Sequence, residues 1–255
     1  MFKDSYLTIS AIALLAYLSA DVAHHALGHA AACLAFGSQI NLLSSVLVKC
    51  SLTGSAIDLA GPLANVLIAL IALVAVRLLR RISASVRLFL SLVAAFNLFW
   101  FWLQLVFSAT TMTDDWAWFI NQYHIGRISR YAMIATGIVG YAVTIRIVAR
   151  QMAPFASAHV RAIIIVAIAW VSAGFIACAT AAFEPRAVDV ILKSALPQSM
   201  LLSIGLLLVP SQAARFASNT AVATPLPFSR AWVVMAAFGC AASIILLGAI
   251  NMFGS

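Results

Sequence analysis

Long apolar runs separated by short polar or charged breaks make up most of the chain. A helix needs ~20 apolar residues to cross ~30 Å of hydrocarbon, because each residue adds only ~1.5 Å. Runs of that length lie at about 6–36, 57–79, 85–109, 131–148, 160–183 and 231–253. A further run, 195–209, is bounded by Pro197 and Pro210 and is short for a crossing, so it predicts either a tilted helix or a re-entrant one. The pattern gives six or seven helices. Between the first two, the period changes. Val46, Val48, Cys50 and Leu52 alternate with Leu47, Lys49, Ser51 and Thr53, which predicts a short strand or hairpin at the membrane surface. Residues 110–115 interrupt another run, and W-A-W-F at 116–119 reads as an interfacial segment anchored by aromatics.

Composition supports this reading. Hydrophobic residues are 64% of the chain and charged ones 9%, against an apolar share of about 45–50% in soluble domains. The expected class is an all-α polytopic membrane protein, integral and multi-pass, with the lipid bilayer as its surroundings. The net charge of +8 needs no nucleic-acid partner, because Arg77, Arg80, Arg81 and Arg87 sit where apolar runs end and anchor helices at the surface. The opening MFKDS does not mark a cleaved signal, since its apolar run continues unbroken into a histidine cluster. Cys33, Cys50, Cys178 and Cys240 show no C-x-x-C spacing and imply no disulfide framework.

The candidate chemistry lies in D-V-A-H-H-A-L-G-H-A, residues 21–30. On an α-helix His25 and His29 share one face, one turn apart, which suits a single metal ion. Ionisable groups inside an apolar helix are costly and imply partners. Asp21, one turn before His25, either orients that imidazole from behind or is an interfacial carboxylate. His24 points away from the pair and is accessory. Cys33, one turn past His29, is either an alternative soft ligand or a small buried apolar residue.

H-A-L-G-H-A resembles the zinc-binding helix H-E-x-x-H of metalloproteases. A-G-P-L-A-N at 60–65 resembles the G-P-x-x-N signature of the second core helix in the site-2 protease family of intramembrane zinc metalloproteases, and T-D-D-W at 113–116 is the nearest match to that family's third core helix. The resemblance covers roughly the first 120 residues. It implies a core of three transmembrane helices with a surface strand region over 1–120, followed by further membrane helices over 121–255 without a separate soluble domain. It implies Zn²⁺ held by His25, His29 and Asp115, with Asp114 as the alternative. The other reading of that acidic pair is a cap for a helix beginning at Trp116. Asn65 is expected to donate to the scissile carbonyl, or else to make an interhelical contact. Gly61 and Pro62 are expected at the substrate with Val46 and Val48, whose strand adds an unwound segment of a membrane-spanning protein substrate edge to edge.

Ala26 departs from that pattern, because it stands where the family has its general-base Glu. A methyl group accepts no proton, and loss of a general base costs about 10²- to 10⁴-fold. Glu184, the one Glu in the chain, lies after the fifth span. The expectation is a chain that binds zinc and turns over poorly or not at all. It would be either a trapped variant of an active protease or a natural pseudoprotease that binds membrane proteins uncut. The competing class is a non-enzymatic metal or haem carrier using His25, His29 and His159, or a structural bundle.

If the spans alternate in direction, the end of the first, the start of the second and the end of the third share one side of the membrane, which brings His25, His29, Asn65 and Asp115 to one depth. Lys49, Arg127, Arg130, Arg186 and Lys193 fall on that side, and the other ten basic residues fall opposite if 195–209 spans. The positive-inside bias then faces the site outward. Several members of the resembled family cut near the cytoplasmic face, so the orientation stays open.

Overall fold

A computed structural model describes residues 4–79, 82–156, 159–216 and 224–249. In chain order these form α1 (Tyr6–Ala35), the strands β1 (Ile40–Leu43) and β2 (Val48–Cys50), α2 (Ser55–Leu78), α3 (Ala84–Thr111), the short α4 (Asp115–Gln122), α5 (Arg127–Phe155), α6 (His159–Ala181), α7 (Ala187–Phe216) and α8 (Arg230–Gly248). All of the helices except α4 are long and apolar enough to cross a membrane, seven in total among the described residues. The fold is that of an all-α polytopic membrane protein with one two-stranded antiparallel hairpin, in which Leu43 faces Val48 and Ile40 faces Cys50.

The inner helices are α1 and α3, which bury more of themselves than the other spans do. Ile9, Ile12, Leu88, Leu92 and Phe99 are fully enclosed there. Tyr17 packs edge-on against Phe96 at 5.7 Å and stacks on Trp100 at 6.4 Å. The outer helices α2, α5 and α8 expose Leu67, Ile71, Ile138 and Phe238. Apolar groups on an outward face suit lipid, where the helix needs no polar side. The helices beyond residue 120 also pack on the first one, as α6 and α8 both lie against α1.

Two expectations change. Pro197 and Pro210 lie inside α7 and do not bound it. The helix absorbs them by loosening into π-type and 3₁₀ turns, and Tyr141 repairs one break: its hydroxyl accepts from Gly205 N at 2.6 Å and donates to Leu202 O at 3.0 Å. The positions expected for the last span beyond 249 lie outside the described residues. The second change is a disulfide joining Cys33, at the end of α1, to Cys50 of β2, with their Cα atoms 6.1 Å apart. They are 17 positions apart in sequence, and only the folding back of the hairpin brings them together. Spacing alone could not show this, and the pairing removes Cys33 as a soft ligand.

At the opposite end of the bundle, Asp4 takes a hydrogen bond from Arg161 Nη2 at 2.9 Å and another from Leu226 N at 2.9 Å. Arg161 Nη2 also donates to Thr224 O at 2.6 Å, which clasps three separate stretches together.

Candidate metal centre

Residues Ala23–Ala30 of α1 form a π-helical segment. Its hydrogen bonds close one residue later than in an α-helix, so residues five apart become neighbours. His24 is therefore brought beside His29, with Nε2–Nε2 at 3.2 Å. The expected pair of His25 and His29 presumed unbroken α-helix, and the wider turn replaces it. His25 lies instead against Asp21, Nδ1 to Oδ1 at 3.1 Å. The ring of His24 stacks on Trp100 with centroids 4.7 Å apart. His24, read from sequence as pointing away, is a core member of the cluster.

Asp115 completes it. Its Oδ2 lies 3.0 Å from His24 Nε2 and 3.2 Å from His29 Nε2. Asp115 is the first residue of α4, and Asp114 is the cap before it, accepting from Asp115 N at 3.1 Å with a positive φ of 73°. A non-glycine residue at that φ costs about 1–3 kcal/mol, and the turn it makes aims Asp115 at α1. The acidic pair thus divides its roles, with Asp114 as cap and Asp115 in the cluster. Burial, and after it the charge of Asp115, pushes the Asp114 carboxyl up to about 6. Burial also acts to raise Asp115, but the two imidazoles outweigh it and hold that carboxyl well below the usual range.

Each member of the cluster is held from behind. Asn65 Nδ2 donates to Ala20 O at 3.2 Å and to Asn97 Oδ1 at 2.8 Å, and Asn97 Nδ2 donates to Val93 O at 2.8 Å. This chain of donors fixes Asn65 Oδ1 as an acceptor facing His24 Nδ1 at 2.6 Å. His29 Nδ1 donates to Ile57 O at 2.8 Å. Gln104 Nε2 donates to Asp115 Oδ2 at 2.8 Å. Both histidines thus keep a proton on Nδ1, and in the neutral ring Nε2 is left with only its lone pair. Two such lone pairs and a carboxylate oxygen face one another within 3.2 Å. That arrangement is repulsive unless a positive charge, a metal ion or an added proton on one imidazole, sits among the three atoms.

The donor set fits a zinc-like ion. A tetrahedral ion with ligands at ~2.0–2.1 Å keeps its ligand atoms roughly 3.3 Å apart, close to the three separations found. Two imidazoles and a carboxylate are a common set for a metal site with one position left for a substrate or water. The partners on Asn65, Ile57 and Gln104 match the outer contacts that orient such ligands.

The remaining expected residues fall in different places. Asn65 is fully buried, its amide nitrogen already gives two hydrogen bonds, and it is absent from the cavity wall. It orients His24 and cannot reach a substrate carbonyl. Gly61 and Pro62 are buried in the contact with α1 and do not line the cavity. A Cβ on Gly61 would overlap the His29 ring, 2.7 Å from Cε1, so glycine makes room for that imidazole. Pro62 lacks the N–H that would close the helix onto Asp58 O. Ala26 also lies outside the cavity wall. His159 opens α6, across the bundle from the cluster if the helices alternate.

The cavity beside the cluster has a volume of about 460 Å³. Its walls are His24, His25 and His29 of α1, Val46, Val48 and Lys49 of the hairpin, Asp58 of α2, Asp115 and Trp118 of α4, and Gln198 of α7. Sequence reasoning missed Gln104, Asn97, Asp58 and Gln198. Gln104 and Asn97 could have been found as amides seven residues apart in an otherwise apolar, aromatic-rich run. Gln198 carries no local signal.

The class these observations define is a polytopic membrane protein, with seven long apolar helices among the described residues and a largely buried two-histidine, one-carboxylate cluster. Comparison with protein-family models, curated proteins and solved structures yields no match.

Proposed function

We propose that this chain is an intramembrane metallopeptidase of the site-2 protease type, acting on peptide bonds of membrane-embedded proteins with Zn²⁺ held by His24, His29 and Asp115. The observation that carries this reading is the convergence of three potential ligand atoms, two imidazole nitrogens and a carboxylate oxygen, within 3.2 Å of one another at the wall of a cavity. A divalent ion there would polarise a carbonyl and acidify water. The chain's own residues supply the rest. Asn65, Ile57 O and Gln104 hold the donors in position. Lys49 and the hairpin wall face the same space, where an unwound peptide would find a strand edge to pair with.

The triad changes what Ala26 means. The first donor is His24, so the residue that follows it is His25, and the Ala26 methyl stands outside the cavity. The trapped-variant and pseudoprotease readings both depended on Ala26 facing the metal, and the reading favoured here is a chain able to turn over. The test is the zinc content of the purified chain. His24→Ala and Asp115→Ala should each abolish stoichiometric zinc, whereas His25→Ala should retain it. Full zinc in His24→Ala together with loss in His25→Ala would sink this donor set and restore the α-helical pairing. A zinc-free parent chain, purified without chelators, would sink the peptidase reading itself.

A further inference from the structure

Resting on that reading, we infer that Asp58 is the proton-transfer group of the site, in place of the Glu that the histidine helix does not carry. Peptide hydrolysis needs a group that takes a proton from the attacking water and returns it to the leaving nitrogen. Glu184, the chain's single Glu, is in the turn after α6, away from the cavity. The Lys49 ammonium on the cavity wall has no lone pair to take a proton, so the wall side chains able to do this beside the metal donors are Asp58, Asp114 and His25. Asp114 is engaged as the cap of α4, and His25 is tied to Asp21. The Asp58 carboxylate makes no hydrogen bond and no ion pair among the described residues, the residue's backbone N–H donating to Gly54 O.

Its position on α2 aims it at the right place. Asp58, Gly61 and Asn65 are spaced three and four apart and so lie on one helical stripe. Asn65 meets His24 Nδ1, and Gly61 lies against the His29 ring at its Nε2 edge. Asp58 is one turn nearer the cavity mouth on that same stripe, and helical side chains lean toward the N-terminus of their helix. It also follows Ile57, whose carbonyl fixes His29. The stripe therefore runs from a group that orients one donor, past a gap that admits the second, to a free carboxylate over the open side.

A water proton passes to Asp58 as the water oxygen bonds to the carbonyl carbon, and the same proton moves to the amide nitrogen as the C–N bond breaks, leaving Asp58 ionised again. The experiment uses the full chain in detergent or vesicles, loaded with zinc, as parent, Asp58→Asn and Asp58→Glu. Three quantities are read: zinc content, affinity for a leucine-based peptide hydroxamate, and cleavage of a fluorogenic transmembrane peptide. A hydroxamate binds a metal through both oxygens after its N–O–H proton has moved to a nearby base, so its affinity reports that base without turnover. Asp58→Asn should keep full zinc, weaken hydroxamate binding about 10- to 100-fold through loss of one charge-assisted hydrogen bond, and slow cleavage about 10²- to 10⁴-fold. Asp58→Glu should recover part of both. Zinc-loaded Asp58→Asn that binds and cleaves like the parent would overturn the assignment, and so would loss of zinc, which would make Asp58 a ligand. A parent chain without zinc would instead overturn the metal reading beneath it.

Discussion

Replacing Gly61 with alanine tests whether the meeting of α1 and α2 is built around the His29 ring. The added Cβ would lie 2.7 Å from Cε1 and 2.9 Å from Cδ2 of His29, and closer still to Nε2. The ring has no easy retreat. Its Nδ1 is held by Ile57 O at 2.8 Å, and its Nε2 is 3.2 Å from both His24 Nε2 and Asp115 Oδ2. Moving α2 away is also costly, because Gly28 seats against Gly61 so closely that a Cβ there would lie 2.5 Å from Gly61 Cα and 2.7 Å from Ala60 O. Overpacking of this kind costs about 1–3 kcal/mol, and moving a ligand off its outer partner weakens metal binding about 10- to 100-fold. Gly61→Ala should therefore lose zinc to a competing chelator at 10- to 100-fold lower chelator concentration than the parent, with a modest fall in thermal stability. Gly54→Ala is the control, since its Cβ meets nothing within 4 Å. Gly61→Ala that holds zinc like the parent would refute the claim that this glycine exists to admit the imidazole.

Two further outcomes are expected. The Arg161 hydrogen bond, working against burial and helped by Leu226 N, holds the Asp4 carboxyl below its ordinary value of 3.8. The stability it contributes is therefore present above pH ~4 and is lost as pH falls through the lowered value, and solvent screening keeps it near ~1 kcal/mol. Thermal unfolding should show Arg161→Gln less stable than the parent at pH 7, with the gap closing toward pH 3, and a gap independent of pH would refute the clasp. The Cys33–Cys50 disulfide and the basic residues should agree on orientation, since disulfides persist in oxidising compartments and cytoplasmic loops are rich in Lys and Arg. Reporter fusions at the Lys49 loop should read as non-cytoplasmic and fusions after Arg77 as cytoplasmic, and alkylation of unfolded, unreduced protein should leave Cys33 and Cys50 unlabelled. Two free thiols there would remove the structural half of the case.

Much of the fold was legible because lipid imposes one rule on every span. Apolar length gave the helices, and the alternation around Val46 to Leu52 gave the hairpin. The places where the sequence misled are those where one local event changes the geometry of many residues. Pro197 and Pro210 read as helix ends, but α7 carries both by opening its turns, with the Tyr141 hydroxyl serving backbone groups that the helix no longer pairs. That partner lies some sixty residues away, and no local pattern announces it.

The metal centre shows the same logic at higher cost to the reading. H-A-L-G-H invites an α-helical pairing of residues four apart, and nothing in those five letters reports that the turn is wider. The neighbouring residues do. His24 is five before His29, Gly28 and Gly61 let two backbones close on each other, and Asn65 has an unambiguous acceptor face waiting for a ring at position 24. Were His25 to take the donor role, the Asn65–Asn97 chain would end on an unsatisfied buried oxygen and Asp21 would lose its imidazole. Both are penalties that a low-dielectric interior makes severe. The π-turn is thus fixed less by the histidines than by the polar groups behind them, and these amides stand in apolar runs where each had to find a partner.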